Sequence, residues 1–317
     1  MALMKAVRQQ EFGAPQVLAV EDVARPEPLP TEVLVRVHAA GVNPVDWKTR
    51  AGGGMARVMG APPFTLGWDV SGVVEEVGFG VTTLAPGDEV YGMPWFPRAA
   101  SAYAEFVTAP SRQFARKPSS VDHVHAAAIP LAGLTAWQAL VDTAQLRAGQ
   151  RVLVHAAAGG VGHLAVQIAK SLNAEVVGTA TSRHHDWLTS LGADRVVDYT
   201  ATRFEDAVGD VDVVLDLVGD AHDDTSTRSL AVLRPGGLIL PIGGASPALA
   251  GAAADRGVRA VSLLVEPDGP ALTRLAGLVD GGALSVEVEQ VFPLTDAAEA
   301  HRRGERGRTR GKLCLQV

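Results

Sequence analysis

The sequence predicts an α/β chain, with a β-rich leading region followed by a doubly wound parallel sheet. Two textures carry that expectation. Residues 1–120 hold short alternating runs broken by Gly and Pro, whereas from Gln150 onward unbroken Val/Ile/Leu runs alternate with helical stretches. A strand wetted on one face needs only to alternate, but parallel strands covered on both faces must be apolar throughout.

The elements follow in order. VLVRVHAAGV (33–42) and DVSGVVEEVG (69–78) alternate, DEVYGM and YAEFVTAP come next, and the turn signals between them mark a compact sheet or barrel. The texture changes near residue 121. RVLVHA (151–156), EVVGTA (175–180), RVVDY (195–199), VDVVLDLVG (211–219), GLILPIGG (237–244) and VRAVSLLVEP (258–267) then read as successive buried strands. Between the first two, HLAVQIAKSL (163–172) sets Leu164, Ala165, Ile168, Ala169 and Leu172 on one stripe, the face by which a helix covers a sheet. From about residue 265 the pattern is mixed again: a helix at 270–279, a strand at 286–291, a helix at 296–303 and a closing strand, KLCLQV. VRAVSLLVEP is the expected last strand of the parallel sheet. Its apolar edge would be relieved either by pairing with a twofold copy, giving a homodimer, or by burial within a monomer.

Composition removes several function classes. The 317 residues carry 28 basic and 35 acidic side chains, a net charge of -7, and there is no long basic run. Nucleic acid is therefore not the expected partner. No stretch approaches the ~20 apolar residues of a membrane span, so no membrane partner is expected. The opening MALMKAVRQQEFG lacks the basic-then-apolar pattern of a secretion signal. A single cysteine, Cys314, precludes an intrachain disulfide and a cysteine-rich metal site. The expected location is cytoplasmic.

The most informative stretch is RVLVHAAAGGVGHLAVQ. A strand ends in a turn of small residues and a helix begins at once, giving Ala157-x-Gly159-x-x-Gly162 against the dinucleotide template. Glycines let the backbone approach a pyrophosphate, and the first N–H groups of the helix face its charge. Strand, turn, helix and second strand fall within ~30 residues, the context the motif requires. No Lys-Ser/Thr follows the glycines, which excludes a P-loop. At the end of the second strand an NAD site would place a carboxylate on the ribose; here stand Thr179, Ala180, Thr181, Ser182 and Arg183. Hydroxyls and a guanidinium suit a 2′-phosphate that a carboxylate would repel, so NADPH is the expected cofactor.

With these residues read, the chain resembles the zinc-independent quinone oxidoreductases of the medium-chain dehydrogenase/reductase superfamily. The likeness spans nearly the whole length. GVNPVDWKTR (41–50), LGWDVSGVVEEVG (66–78), PGDEVYGM (86–93), AAAIPLAGLTAWQAL (126–140), HAAAGGVGHLAVQIAK (155–170), LGADRVVDY (191–199) and GRTRGKL (307–313) resemble family blocks in the expected order. The resemblance implies a Rossmann sheet inserted into a GroES-like catalytic domain: 1–120 GroES-like, 121–264 Rossmann and NADP-binding, 265–317 returning to the catalytic domain, with the active site in the cleft between them. By position it implies that Ala158, Gly159, Gly160 and Val161 lie along the pyrophosphate. Thr181, Ser182, Arg183 and Tyr199 would surround the 2′-phosphate. Arg308, Thr309 and Arg310 would fold back to the cofactor. Asn43, Thr135, Leu217, Val218, Ile242 and Gly243 would line the nicotinamide half. Ala158 stands where members often carry Ser, which removes one phosphate hydrogen bond.

Zinc-dependent members bind metal through cysteine and a Gly-His-Glu motif; here the block is Gly67-Trp68-Asp69. Catalytic zinc needs three protein ligands and an open position. His38, His123 and His125 are not spaced as a ligand pair, and His123 and His125 read as surface or cap residues. No metal is expected, so alcohol oxidation is disfavoured. Hydride transfer from NADPH to a quinone or an α,β-unsaturated carbonyl remains, with a hydrogen-bond donor needed where charge builds on the acceptor oxygen. Asn43 and Lys48 are the candidate catalytic donors, with Trp47 and Trp68 as candidate walls of the acceptor pocket. Asp46 and Asp69 read rather as turn or supporting residues. Two rivals stand beside this reading: a trans-acting enoyl reductase on acyl thioesters, and a catalytically silent NADPH-binding sensor or scaffold.

Overall fold

A computed structural model of the chain describes residues 2–317. Two compact units are formed, one by residues 2–134, 266–282 and 286–317, the other by 135–265 and 283–285. Residues 121–134 go with the first unit rather than with the 121–264 segment. The reason is packing: the helix His123–Ala127 rests on the strands of the first unit, and the Leu131 N–H is bonded to Asp69.

The first unit contains β1 (Leu3–Gln9), β2 (Leu18–Ala24), β3 (Glu32–Val42), β4 (Phe64–Thr65), β5 (Val70–Val77), β6 (Glu89–Gly92), β7 (Phe106–Pro110) and β8 (Phe114–Arg116). The second contributes β9 (Arg151–Val154), β10 (Glu175–Ala180), β11 (Arg195–Asp198), β12 (Val211–Asp216), β13 (Leu233–Pro241) and β14 (Arg259–Ala260). The chain then returns to the first unit with β15 (Val288–Pro293) and β16 (Lys312–Gln316). In the first unit β2-β1-β4 form a small sheet, and β15-β16-β3-β5-β6-β8, with β7 also on β3, form a larger one. β16 runs antiparallel to β3, so the last residues of the chain complete a sheet begun near residue 32. Its core gathers Val33, Val35, Val37, Leu66, Val90, Tyr103, Phe292 and Leu315. Each such apolar side chain contributes roughly 1.5–3 kcal/mol on burial.

The second unit is a parallel sheet in the order β11-β10-β9-β12-β13-β14. The three residues of β9 after Arg151, and all six of β12, are buried, which accounts for the Val and Leu that dominate both strands. The helix Gly160–Ser171 covers the sheet with Leu164, Ala165, Ile168 and Ala169 buried. One expectation needs correction. The run 258–267 supplies only the two-residue β14, with one further bond from the Val261 N–H to the Ile239 carbonyl, and residues 261–268 have no regular structure. An apolar run becomes strand only as far as a neighbour offers free backbone groups, and β13 ends at Pro241.

Candidate active site

Because the sheet is parallel, the carboxyl ends of its strands share one edge. Ala158, Gly159, Gly160 and Val161 follow β9; Thr181, Ser182 and Arg183 follow β10; Tyr199 follows β11. Leu217 and Val218 follow β12, and Ile242 and Gly243 follow β13. The winding reverses between β9 and β12, which is where an open α/β sheet makes its ligand crevice.

The turn after β9 is built by backbone. Ala156 takes a left-handed conformation (φ 50), its N–H reaches Thr179 Oγ1 at 3.2 Å, and the Ala157 N–H reaches the Thr179 carbonyl at 3.0 Å. A Cβ on Gly162 would lie 2.4 Å from the Ala156 carbonyl oxygen and 2.7 Å from the Ala157 Cα. Both are main-chain atoms that cannot step aside, so the position requires glycine. The twelve-residue helix that starts at Gly160 then offers its first N–H groups, which have no acceptor inside the helix. Beside this cradle, Thr181 Oγ1 is buried without a hydrogen-bond partner. A buried hydroxyl with nothing to bond is costly unless a ligand completes it. The Ser182 N–H is committed to Asp198 at 3.1 Å, and the Ser182 and Arg183 side chains are exposed, the latter with its Nε donating to His184 Nε2 at 2.9 Å. Tyr199 is 53% exposed.

The two nicotinamide-side turns are tied together by one carboxylate. Buried Asp216 accepts the N–H groups of Val218 (2.8 Å) and Gly219 (3.1 Å) and the Ser226 hydroxyl. Its carbonyl accepts the Ile242 N–H at 2.8 Å. A Cβ on Gly243 would come within 2.5 Å of the Val218 carbonyl carbon, so these turns are in direct contact. Thr135 is buried in the same unit, at its first residue.

The first unit holds a second constellation, buried and built from side chains. Asn43 precedes the helix Pro44–Arg50, and Asp46 accepts its backbone N–H at 2.7 Å, the returning bond of a capping box. The Asn43 amide is also engaged away from the helix. Its Nδ2 donates to Asp69 Oδ2 at 2.8 Å and its Oδ1 accepts from Lys312 Nζ, which also reaches Asp69 at 3.2 Å. The other Asp69 oxygen accepts the Leu131 N–H at 2.6 Å. Asn43 is 2% exposed, Lys312 3% and Asp69 0%. Burial among other groups, Asp69 included, pushes the Asp46 carboxyl up to about 7. Tyr103 lies beside Asp46, and its hydroxyl meets His301 Nε2 at 3.3 Å. The other ring nitrogen faces the Arg50 guanidinium at 3.2 Å. Arginine can only donate, so Nδ1 of His301 is the acceptor and Nε2 carries the hydrogen. Burial, with Arg50 adjacent, holds His301 down at about 3. Arg50 in turn pairs with Glu305 at 2.6 Å.

Lys48, on the same helix as Asp46, is exposed. Trp68 is fully enclosed, with its indole N–H on the Arg98 carbonyl at 2.6 Å and its ring edge-on to Phe96, so it is core and not a pocket wall. Trp47 is half-buried, edge-on to His301. His125 sits in the first turn of its helix with Asp122 as cap, while His123 bonds Ser71 at 2.8 Å and stacks on His38. In the tail, Arg308 is exposed with φ 60, Thr309 lies 3.5 Å from Arg303, and Arg310 pairs with Glu287 at 3.1 Å. Lys312 is the residue sequence reasoning missed. Its signal was a charge opening an otherwise apolar strand, KLCLQV.

Among the described residues, no three His, Cys, Asp or Glu side chains come together as a metal site, and no helix is long and apolar enough to cross a membrane. In the Gly67-Trp68-Asp69 block, the indole is core and the carboxylate is spent on Asn43, Lys312 and Leu131. That donor set does not fit zinc.

Comparison with known proteins gives two family-model matches: an alcohol dehydrogenase GroES-like domain at residues 29–119 and a zinc-binding dehydrogenase domain at 191–315. The mitochondrial NAD(P)H oxidoreductase RTN4IP1 of Danio rerio is 34% identical over 331 residues, covering 91% of this chain and 84% of its own. The chloroplastic NADPH-dependent alkenal/one oxidoreductase of Arabidopsis thaliana is 34% identical, covering 98% of this chain and 79% of its own. The structure of the quinone oxidoreductase from Coxiella burnetii superposes with a TM-score of 0.92 at 38% identity, covering 100% of both chains.

Proposed function

The chain belongs to the zinc-independent quinone oxidoreductases of the medium-chain dehydrogenase/reductase superfamily, and from that premise we propose that it reduces quinones or enones with NADPH in preference to NADH. It is an oxidoreductase that transfers hydride from a nicotinamide coenzyme to a quinone or an activated double bond. The observation that carries the reading is the conjunction at one sheet edge of a backbone cradle that tolerates only glycine at 162 and an unsatisfied buried hydroxyl at Thr181.

A bound reduced nicotinamide supplies the hydride; the residues supply position and charge. Gly159, Gly160 and Val161 hold the pyrophosphate with main-chain N–H groups. Thr181, Ser182, Arg183 and Tyr199 recognise the 2′-phosphate, with Ala158 close to the turn and Arg308, Thr309 and Arg310 as the tail contribution. Leu217, Val218, Ile242, Gly243 and Thr135 seat the nicotinamide half, their turns fixed by Asp216. Asn43 is the donor to the acceptor's carbonyl oxygen, with Lys48 as the second candidate. The exposed two-residue edge strand β14 supports a homodimer formed by sheet continuation, and the cytoplasm is the compartment we assign.

Steady-state NADPH oxidation against quinones, enones and enoyl thioesters tests the reading. Turnover with quinones or enones is expected. Turnover confined to thioesters would replace it with the enoyl-reductase alternative, and coenzyme binding without turnover on any acceptor would replace it with the sensor. Sedimentation at micromolar concentration should show a dimer; a monomer would overturn the edge-pairing assignment.

A further inference from the structure

We propose that Lys312 is a positioning residue for hydride transfer: with Asp69 it locks the Asn43 amide in one orientation and presents its remaining N–H as a polarised donor to the acceptor's carbonyl oxygen. The inference rests on the assignment of Asn43 made above.

An asparagine amide can usually turn over, because its oxygen and nitrogen are alike in shape. Here the chemistry of the neighbours forbids it. Lys312 is a donor only, and it stands on Asn43 Oδ1. Asp69 is an acceptor, and it stands on Nδ2 at 2.8 Å. Turned over, the amide N–H groups would face an ammonium and the carbonyl would face a carboxylate, with all three side chains buried where such mismatches are most costly. Asp69 is itself fixed by the Leu131 N–H, and the Asn43 backbone by Asp46, so neither end of the lock is free to follow a rotation.

Two consequences follow for the one amide hydrogen not given to Asp69. Its direction is set before any ligand arrives, so no reorganisation is needed during reaction. It is also strengthened, because an ammonium on the carbonyl oxygen draws electron density from the amide nitrogen, and linked hydrogen bonds reinforce one another. In the reaction, hydride adds to the electrophilic carbon of the acceptor and the displaced electron pair collects on its carbonyl oxygen. The nicotinamide leaves oxidised, and a water proton completes the reduction. A polarised N–H gains most at the moment that oxygen becomes negative.

Lys312→Met alone leaves Asp69 as an uncompensated buried charge and is apt to unfold the unit. The test therefore pairs it with D69N, which restores neutrality and offers Asn43 an amide partner that accepts either orientation. With NADPH and a fixed enone, K312M/D69N should lower kcat on the order of 10²-fold, with the coenzyme Kd within about twofold of the parent and a cooperative melt. Adding N43A to that background should cost less than about threefold further, because a residue acting through Asn43 has nothing left to act on. K312R, which keeps a donor and a charge, should recover part of the loss. A K312M/D69N protein that melts cooperatively and turns over at the parent rate overturns the inference. So does a full additional loss on N43A. Failure of the parent protein itself to oxidise NADPH with any acceptor would instead overturn the functional assignment, and is separable because it needs no variant.

Discussion

The two units present their candidate functional residues in different material. At the carboxyl edge of the parallel sheet the surfaces are main chain: a left-handed Ala156, a Gly162 closed in by backbone, and two turns held by Asp216. In the β-rich unit they are side chains: a buried set of Asn43, Asp46, Asp69, Lys312, Tyr103, His301 and Arg50. A backbone cradle can bind phosphate without risking a titratable group. A buried polar cluster holds one donor in place, but its stability depends on proton count. The first should respond to substitution through sterics, the second through charge and pH.

The largest effect expected is in the charged half. A raised carboxyl favours the folded state below its unfolded pKa, near 4, and that contribution is lost as pH climbs through about 7. For Asp46, which faces Asp69 and Lys312 and lies against Tyr103, the loss between pH 4 and 7 amounts to at most about 4 kcal/mol. His301 and His155, held down at about 3 and about 4 by burial, act in the opposite sense: their contribution is present above pH ~6.5 and disappears on acidification. Denaturant melts of Asp46→Asn against the parent across pH 4–7 separate the two, since only the Asp46 slope should vanish. Parallel curves would remove the pH-dependent half of the contrast.

In the backbone half, Gly162→Val should cost about 1–3 kcal/mol of stability by overpacking and weaken NADPH at least tenfold, read by thermal melt and calorimetry. Asn43→Ala should lower kcat on the order of 10²-fold with coenzyme affinity kept, as expected for loss of one charge-stabilising donor. Arg183→Ala should weaken NADPH about tenfold more than NADH, the worth of one charge-assisted contact at an exposed site. An equal loss for both coenzymes would remove Arg183 from phosphate recognition. The smallest effect is assigned to exposed Lys48, whose replacement by Ala should change kcat/KM by at most about threefold. A loss matching that of Asn43→Ala would move the donor role to it.

The same contrast governs what was legible in the sequence. The parallel sheet and its turn were readable because their signals are local: an unbroken apolar run, then glycines at fixed spacing, then a helical stripe. The lock on Asn43 was not. Lys312 lies 269 positions away, and only the pairing of β16 with β3 brings the two together. Asp69 read equally well as a turn residue, since nothing near it in the chain shows that Leu131 and Lys312 will converge on it. Trp68 looked like a pocket wall because aromatic residues near a site suit either role, and only its bond to Arg98 decides for the core. The run at 258–267 promised a full strand, but strand length is set by the partner's free backbone.

Titration of the purified protein with NADPH, followed by heat or by nicotinamide fluorescence, tests the central claim most directly. The account predicts one saturable site per chain with a Kd between about 1 µM and 1 mM, and weaker binding of NADH. No signal at about 1 mM NADPH, from a protein shown to be folded by its melt, would contradict it.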